Sequence, residues 1–378
     1  MPSSFWLLPI LGLASCSAPG PVPTDQASRR VAEVVLDESA RAQVDLDTAA
    51  ALLALRSGDD AQARKLAKNA LSRDPRAARA RAILGRLLLT QTLRTSPPEI
   101  AAMEKVEGEL LLARRLDSDD PEVMLFHSQF LEADGHISLA VEVLDGLVAG
   151  DPEHLEGLRG ASRLHFELGE ERAATPLLER VLALDPQDEE SLYRLAHCRL
   201  DLAEAVDRGD LEASEQSARE LFRRAAGDFG SYQALASDEI LGYLGQARAL
   251  LRAAELLEPD QPQQALGEFD AVIELLVQAE TQEPNSPEPR HARGAVLVRL
   301  GRLAEARTLF ESALRLDPVH LPTLLDLARV LDTLGEKELA QDLCRRALAL
   351  PVTPTERRQL ERYLSDGRGA GTQVPMME

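Results

Sequence analysis

Residues Pro287–Pro318 read PEPRHARGAVLVRLGRLAEARTLFESALRLDP, and the order of small, apolar and turn residues in this stretch spells a helix, a tight turn, a second helix and a stop. Gly294 falls mid-way along the first helical stretch, where glycine costs roughly 1 kcal/mol relative to alanine, so a neighbouring helix must press against that point. Ala306 and Ala313 are the small positions of the second stretch, and they let the two axes approach to the lower end of the usual ~8–10 Å. Leu297, Leu300, Leu303, Phe310 and Leu314 fill the seam. Gly301 ends the first helix, because the closing residue must adopt the left-handed conformation, and Pro318 stops the second. The outer faces of such a hairpin remain partly apolar, so it has to stack on neighbours.

The stop recurs. Asp-Pro pairs stand at 151–152, 185–186 and 317–318, with Pro121, Pro284 and Pro351 in the same register, and successive intervals are 31, 34, 34 and 33 residues. A period near 34 means a helical solenoid. The unit resembles the tetratricopeptide repeat: its small residue falls on Gly294, the large one on Leu297, the turn glycine on Gly301, the paired alanines on Ala306 and Ala313, the aromatic on Phe310 and the closing proline on Pro318. The same order follows Gly335 (Ala340, Cys344, Ala347), Gly169 (Ala174, Leu178, Val181, Pro186), Gly135 (Ala140, Leu144, Leu147, Pro152) and Gly58 (Ala63, Ala67, Ala70, Pro75). The family's early aromatic is replaced by Arg290, Leu158 and Met124.

The expected fold is therefore all-α, a superhelical solenoid of about eight antiparallel hairpins over residues 31–365, closed by a capping helix at Thr353–Leu364. Irregular long repeats are expected at about 76–120 and 187–283. In the first, Ser96 is expected to cap a second helix that carries proline in its opening turn and runs to about Leu116. In the other, the late turn glycine Gly209 implies a long helix at about Glu189–Asp207, and two more are expected at about Ser231–Leu257 and Gln263–Gln282. Residues 366–378 are glycine-rich and read as a disordered tail.

Phe5–Leu13 is an apolar run of nine residues, too short for the ~20 that span a bilayer. It leads into Leu13-Ala14-Ser15-Cys16, which resembles a bacterial lipoprotein signal peptide. That resemblance implies cleavage after residue 15, lipidation of Cys16, and a proline-rich flexible tether over 16–30. Such signals open with lysine or arginine, whereas the first basic residue here is Arg29. The expected localisation is the bacterial cell envelope, on the periplasmic face of the outer membrane in a Gram-negative cell. The alternative is a soluble cytoplasmic adaptor or an accessory subunit of an enzyme complex.

No reaction chemistry is legible. Cys198 and Cys344 sit on apolar helix faces, the seven histidines are scattered, and no metal-ligand spacing, phosphate loop or nucleophile elbow occurs. No enzyme activity, no metal, no cofactor and no small-molecule substrate are expected. A net charge of −21 repels nucleic acid at long range. Partners are expected to be other proteins or peptides, with the membrane reached through the lipid. By transfer from the family, the groove lining includes Glu122, Leu125, Gln129 and Glu132 of one unit. Arg159, Arg163, Phe166, His291, Leu325 and Arg329 are the candidate peptide-binding residues. Asn69 and Asn285, the two asparagines, lie off the inner face, which excludes the family's carboxylate clamp.

Overall fold

A computed structural model describes residues 36–95, 97–211, 217–236 and 240–366, and all regular structure among them is helical. The expected signal peptide, Cys16, the expected tether and the residues after Asp366 lie outside the described residues. Seventeen helices are described. They pair as α1 (Glu38–Arg56) with α2 (Asp60–Arg73), α3 (Ala78–Thr92) with α4 (Ile100–Leu116), α5 (Pro121–Ala133) with α6 (Ile137–Gly150), and α7 (Leu155–Glu167) with α8 (Glu171–Leu184). There follow α9 (Glu189–Arg208) with α10 (Ala218–Leu235), α11 (Ile240–Leu257) with α12 (Pro262–Gln282), α13 (Glu288–Arg299) with α14 (Leu303–Leu316), and α15 (Leu321–Thr333) with α16 (Lys337–Leu348). α17 (Pro354–Asp366) completes the eight hairpins with a ninth first-position helix. The helices group into two compact units, one ending at Ser118 and the other beginning at Asp119.

Two local rules build the hairpins. At the first turn the left-handed residues are Gly58, Gly135, Gly169, Gly209, Gly301 and Gly335, with φ between +70° and +84°. At each of them the next residue's N–H reaches back five positions: Asp59 N–H donates to Ala54 O, Arg302 N–H to Leu297 O and Glu336 N–H to Leu331 O. That Schellman closure satisfies carbonyls the helix end would otherwise leave bare. At the second turn the aspartate before proline accepts from the N–H two residues on, at Asp74, Asp151, Asp185 and Asp317 (2.9–3.3 Å). The residue after that closes the turn and caps the next helix: His154, Asp188 and His320 each accept from the N–H three residues further on. The proline carbonyls are taken by arginines, Arg180 on Pro152, Arg346 on Pro318, Arg81 on Pro75 and Arg290 on Pro284 (2.5–2.8 Å). Arg290, standing where the family carries an aromatic, thus binds the preceding turn and pairs with Glu280 at 2.8 Å.

In the unit ending at Ser118, α1 packs on α2 and α3, and α3 on α4. Gly85 lets Leu110 in, since a Cβ there would lie 2.7 Å from the leucine side chain. In the second unit the same device places Gly294 under Phe310 and Gly245 under Phe229, each with a virtual Cβ 2.4 Å from the ring. Both phenylalanines are fully buried. Arg199 ties three successive helices, reaching Glu179 of α8 and Asp228 of α10 at 2.6 Å. At the far end, Leu360 and Tyr363 of α17 are buried against α15 and α16, while Arg357, Arg358 and Glu361 face solvent. Thr353 and Glu356 cap α17 reciprocally (2.7 and 3.2 Å).

Two expected helices are corrected. α4 starts at Ile100 behind Glu99, so Pro97 and Pro98 precede it; a residue followed by proline is disfavoured in the helical region, which keeps Pro97 out. Ser96 lies outside the described residues. The expected helix at Ser231–Leu257 is two helices, because α10 ends at Leu235 and α11 begins at Ile240 and packs back on α10. Gly242 and Gly245 permit that return: a Cβ at Gly242 would stand 2.8 Å from Gln233 Cβ.

Candidate functional site

The first-position helices α7, α9, α11, α13 and α15 touch in succession, and two hollows open along them in the second unit. The polar one, about 380 Å³, lies between α5, α7 and α9. Gly160 forms part of its floor; a Cβ there would meet Leu144 at 3.2 Å, so the missing side chain is what keeps the hollow deep. Its walls carry Gln129 and Glu132 from α5, Arg159 and Arg163 from α7, and Glu190 and Arg194 from α9.

Every arginine in this hollow is already held. Arg159 pairs with Glu156, Asp185 and Asp188 at 2.9, 2.8 and 2.6 Å. Arg163 bridges Glu132 and Glu167 at 2.6 and 2.9 Å, and Arg194 meets Glu190 at 2.5 Å. Burial alone would raise the Asp188 carboxyl, but the Ser191 N–H and Arg159 outweigh it and hold that group below its ordinary range. With carboxylates matching guanidinium groups around the wall, the hollow is not an anion trap. The Gln129 carboxamide differs, because its Oε1 is buried with no hydrogen-bond partner among the described residues. An unmade bond of that kind costs about 1–3 kcal/mol, which turning the half-buried side chain out to a ligand N–H would recover.

The second hollow, about 350 Å³, is an apolar slot between α11, α12 and α13 with the start of α15 at one end. Leu244, Leu251, Val272 and Leu276 face Ala295 and Pro322 across it. His291 closes one side: its Nε2 lies 2.9 Å from Asp326 Oδ2, and its ring stands 5.7 Å from that of Phe310 and 5.4 Å from that of His320. Burial, helped by the Arg329 charge and opposed by Glu288, pushes its pKa down to about 4. Burial and the neighbouring His291 also lower His320. His320 Nδ1 sits 2.6 Å from Thr323 Oγ1 at the cap of α15. The slot therefore presents neutral rings, with Arg248 and Glu288 as the charged residues of its lining.

The six candidate peptide-binding residues do not form one site. Arg159 and Arg163 share the polar hollow, tied in ion pairs, and His291 lines the apolar slot. Arg329 is bound to Asp326, and its Nε is buried without a partner among the described residues. Phe166 is half-buried and packs on the cluster of Leu178, Leu195 and Cys198, and Leu325 is 2 % exposed in the core, so Leu325 presents no face to a peptide. Leu125 and Glu122 are buried as well. The physical reason is that these first-position helices are covered on two sides, and a helical periodicity does not say which apolar stripe faces the groove. Sequence reasoning misses Arg194 and His320. For His320 a signal exists, since Asp317-Pro318-Val319-His320 repeats the spacing of Asp151-Pro152-Glu153-His154 and puts histidine on the cap. Cys198 and Cys344 are buried free thiols, pushed up to about 12 by burial.

His165 joins α6, α7 and the residue that precedes α8. Its Nδ1 lies 2.6 Å from Glu170 and its Nε2 3.1 Å from Asp145. Burial lowers its pKa, but the bonds to Glu170 and Asp145 outweigh burial and the net shift is upward. The protonated ring donates on both sides, so its contribution is complete below about pH 6.5, the unfolded value, and disappears as pH rises through the raised folded value. The melting temperature lost in His165→Asn is expected to be several degrees larger at about pH 6 than at about pH 9. Equal losses at both would mean that His165 is neutral.

Among curated proteins none matches the chain in sequence. Solved structures that resemble it include a tetratricopeptide repeat protein from Parabacteroides merdae (13 % identity, 86 % of this chain and 99 % of that one, TM-score 0.44). PilF of Pseudomonas aeruginosa is another (16 %, 67 % and 97 %, 0.45), as is YrrB, described as a TPR protein with an unusual peptide-binding site (13 %, 57 % and 95 %, 0.43). Tetratricopeptide-repeat family models match residues 48–93 and 297–354, so the chain carries tetratricopeptide repeats in both of its compact units.

Proposed function

We propose that this chain is a non-enzymatic scaffold that binds other proteins, lipid-anchored through Cys16 at the bacterial cell envelope. Its role there is to support assembly of an envelope complex of the barrel, pilus, secretion or polysaccharide-export type. The observation that carries the binding role is the polar hollow between α5, α7 and α9. It is concave, its charges are mutually tied, and the buried Gln129 acceptor lacks a donor among the described residues. Tied charges supply hydrogen-bonding edges without a poised nucleophile or base, which suits recognition of a main chain better than catalysis. The anchor rests on Leu13-Ala14-Ser15-Cys16. One acyl chain holds a protein only marginally, and two or more hold it stably.

The test is in-cell crosslinking of the full chain through a C-terminal tag, with the N-terminal mass read alongside. The native chain is expected in the membrane fraction with an acylated Cys16, and Cys16→Ser in soluble or unprocessed form; unchanged fractionation and mass would remove the anchor. Gln129→Ala with Arg194→Ala is expected to cut crosslinked partner by about tenfold, from two lost hydrogen bonds, at unchanged melting temperature. Full recovery of partner by that variant would place the contact elsewhere.

A further inference from the structure

We propose that the outer stripe of α1 is a dimerisation face, which takes α1 of a second copy in antiparallel register. The stripe is exposed, its counterparts in later repeats are covered by a helix, and its residues are complementary to themselves. Neither the polar hollow nor the anchor enters the argument. Ala42, Leu46, Ala49 and Leu53 follow one another at spacings of four, three and four residues, which lines them along one side of α1. All four are exposed, Leu46 by 62 % and Leu53 by 70 %. Val44, Asp47, Thr48 and Ala51, on the opposite side, are buried.

Counting back from the turn glycine identifies the stripe. Leu46 and Leu53 stand twelve and five residues before Gly58. The same places before Gly169, Gly301 and Gly335 hold Gly157 and Leu164, Pro289 and Val296, and Thr323 and Val330, and all six are buried. Their helices α7, α13 and α15 each pack on the second helix of the preceding hairpin. In α7 the fit is resolved: a Cβ at Gly157 would meet Leu147 of α6 at 2.8 Å, and one at Gly160 would meet Leu144 at 3.2 Å. Leucines sit over small residues, and three steps back on α6 match three steps forward on α7, the register of antiparallel helices. The stripe of α1 is this stacking face, left exposed among the described residues.

A two-fold pair of α1 helices obeys the same rule. With the axis between Leu46 and Ala49, Leu46 faces Ala49 of the second copy and Leu53 faces Ala42 of the second copy, so each leucine again meets a small residue. Glu38 in the first turn and Arg56 in the last are eighteen residues apart, five full turns, and so share one flank of the stripe. Antiparallel pairing brings that carboxylate to that guanidinium at both ends and sets the two macrodipoles in opposition. Asp45, on the same flank, has Arg41 one turn before it. Parallel pairing would instead set leucine on leucine and like charge beside like charge. Head-to-tail stacking is disfavoured too, because α17 exposes Arg357, Arg358 and Glu361, charges that are costly to bury against leucine.

One helix from each copy makes a small interface, of the class that forms and dissociates, so covalent capture is the test. The full chain carrying Ala49→Cys is co-expressed with two different tags and treated in cells with a short bismaleimide; a dimer band holding both tags is expected. The native chain is the blank, since Cys198 and Cys344 are buried. Ser57→Cys is expected to give about tenfold less dimer, because two-fold copies of residue 57 lie ~28 Å apart along the seam against ~5 Å for residue 49, at 1.5 Å per residue. Leu53→Glu, at a position already 70 % exposed, is expected to lower capture through Ala49→Cys about tenfold at unchanged melting temperature. Equal capture at residues 49 and 57 would report parallel or random contact and overturn the proposal. So would links from residue 49 to another protein, the absence of a dimer band, or capture indifferent to Leu53→Glu. A melting temperature lowered by Leu53→Glu without any dimer band would show the stripe covered by its own chain, which also overturns it.

Discussion

Gly294→Ala is expected to destabilise the α13–α14 hairpin by about 1–3 kcal/mol, the usual cost of forcing a methyl group into a packed seam. Its Cβ would stand 2.4 Å from the Phe310 ring, which is fully buried and has no room to retreat. Phe310→Ala is expected to cost about 3–5 kcal/mol through the cavity it leaves. The informative experiment is the double substitution. With the ring gone the new methyl group has space, so the pair is expected to cost less than the sum of the singles, and Gly294→Ala in that background approaches the gain alanine gives inside a helix. Gly301→Ala is the control. Its φ of +70° is strained for alanine while nothing lies within 4 Å of the added atom, so it costs about 1–2 kcal/mol whether or not Phe310 is present. Amide exchange across α13 and α14 is the appropriate readout, because stacked repeats unfold in parts and a single transition averages them. Equal costs of Gly294→Ala in both backgrounds would show that the ring does not set the spacing.

Acid is expected to weaken the α13–α16 region through His291. In the unfolded chain this histidine takes up a proton near pH 6.5, whereas burial beside Arg329 keeps the folded form neutral until about pH 4. A depressed folded pKa means that the contribution is present above about pH 6.5 and is lost as pH falls toward 4. The loss approaches an upper figure of about 3.5 kcal/mol at ~1.4 kcal/mol per unit. Asp326 faces Nε2 and would favour the imidazolium, but its other oxygen is engaged by Arg329, which leaves little charge to attract a second proton. His291→Leu is expected to flatten the stability profile between about pH 6.5 and 4, read as the difference from the native chain so that other groups cancel. A parallel slope in the variant would assign the acid response elsewhere.

The hairpins are legible in the sequence because their rules are local. A left-handed residue needs glycine, and five of the six positive-φ glycines are recognisable from the alanine five residues on, Gly209 being legible only as a late turn. Gly294 can be read as a point of close approach from its helix-breaking cost alone, and the structure supplies Phe310 as the cause. The groove is less legible for a physical reason. Leu325 and Arg329 share a helix buried on two sides, where one stripe serves the seam with α16 and another the next repeat, and sequence spacing does not rank them. The break between α10 and α11 depends on Gly242 and Gly245 meeting residues of the preceding helix, a tertiary contact with no periodic mark. His154 and His320 escape notice because histidine is an uncommon helix cap.

The Asp-Pro turn bears on how such a chain changes length over generations. At Asp151–His154 and Asp317–His320, four consecutive residues bend the backbone, cap the next helix and present a carbonyl, and the arginine that takes the carbonyl lies 28 positions beyond the proline in each case. The whole joint thus travels inside one repeat. A duplicated or deleted unit cut at these turns carries its own fastening, and the new neighbour has its apolar surface and a few cross-repeat pairs such as Arg163–Glu132 to match. The junction between α10 and α11 has no Asp-Pro pair, and around it Glu255 is shared by Arg252 and Arg299 while Glu268 is shared by Arg219 and Arg223. Partners there sit on three different hairpins, so that segment is expected to be inherited whole, and chains related to this one are expected to differ in repeat number on either side of it rather than within it.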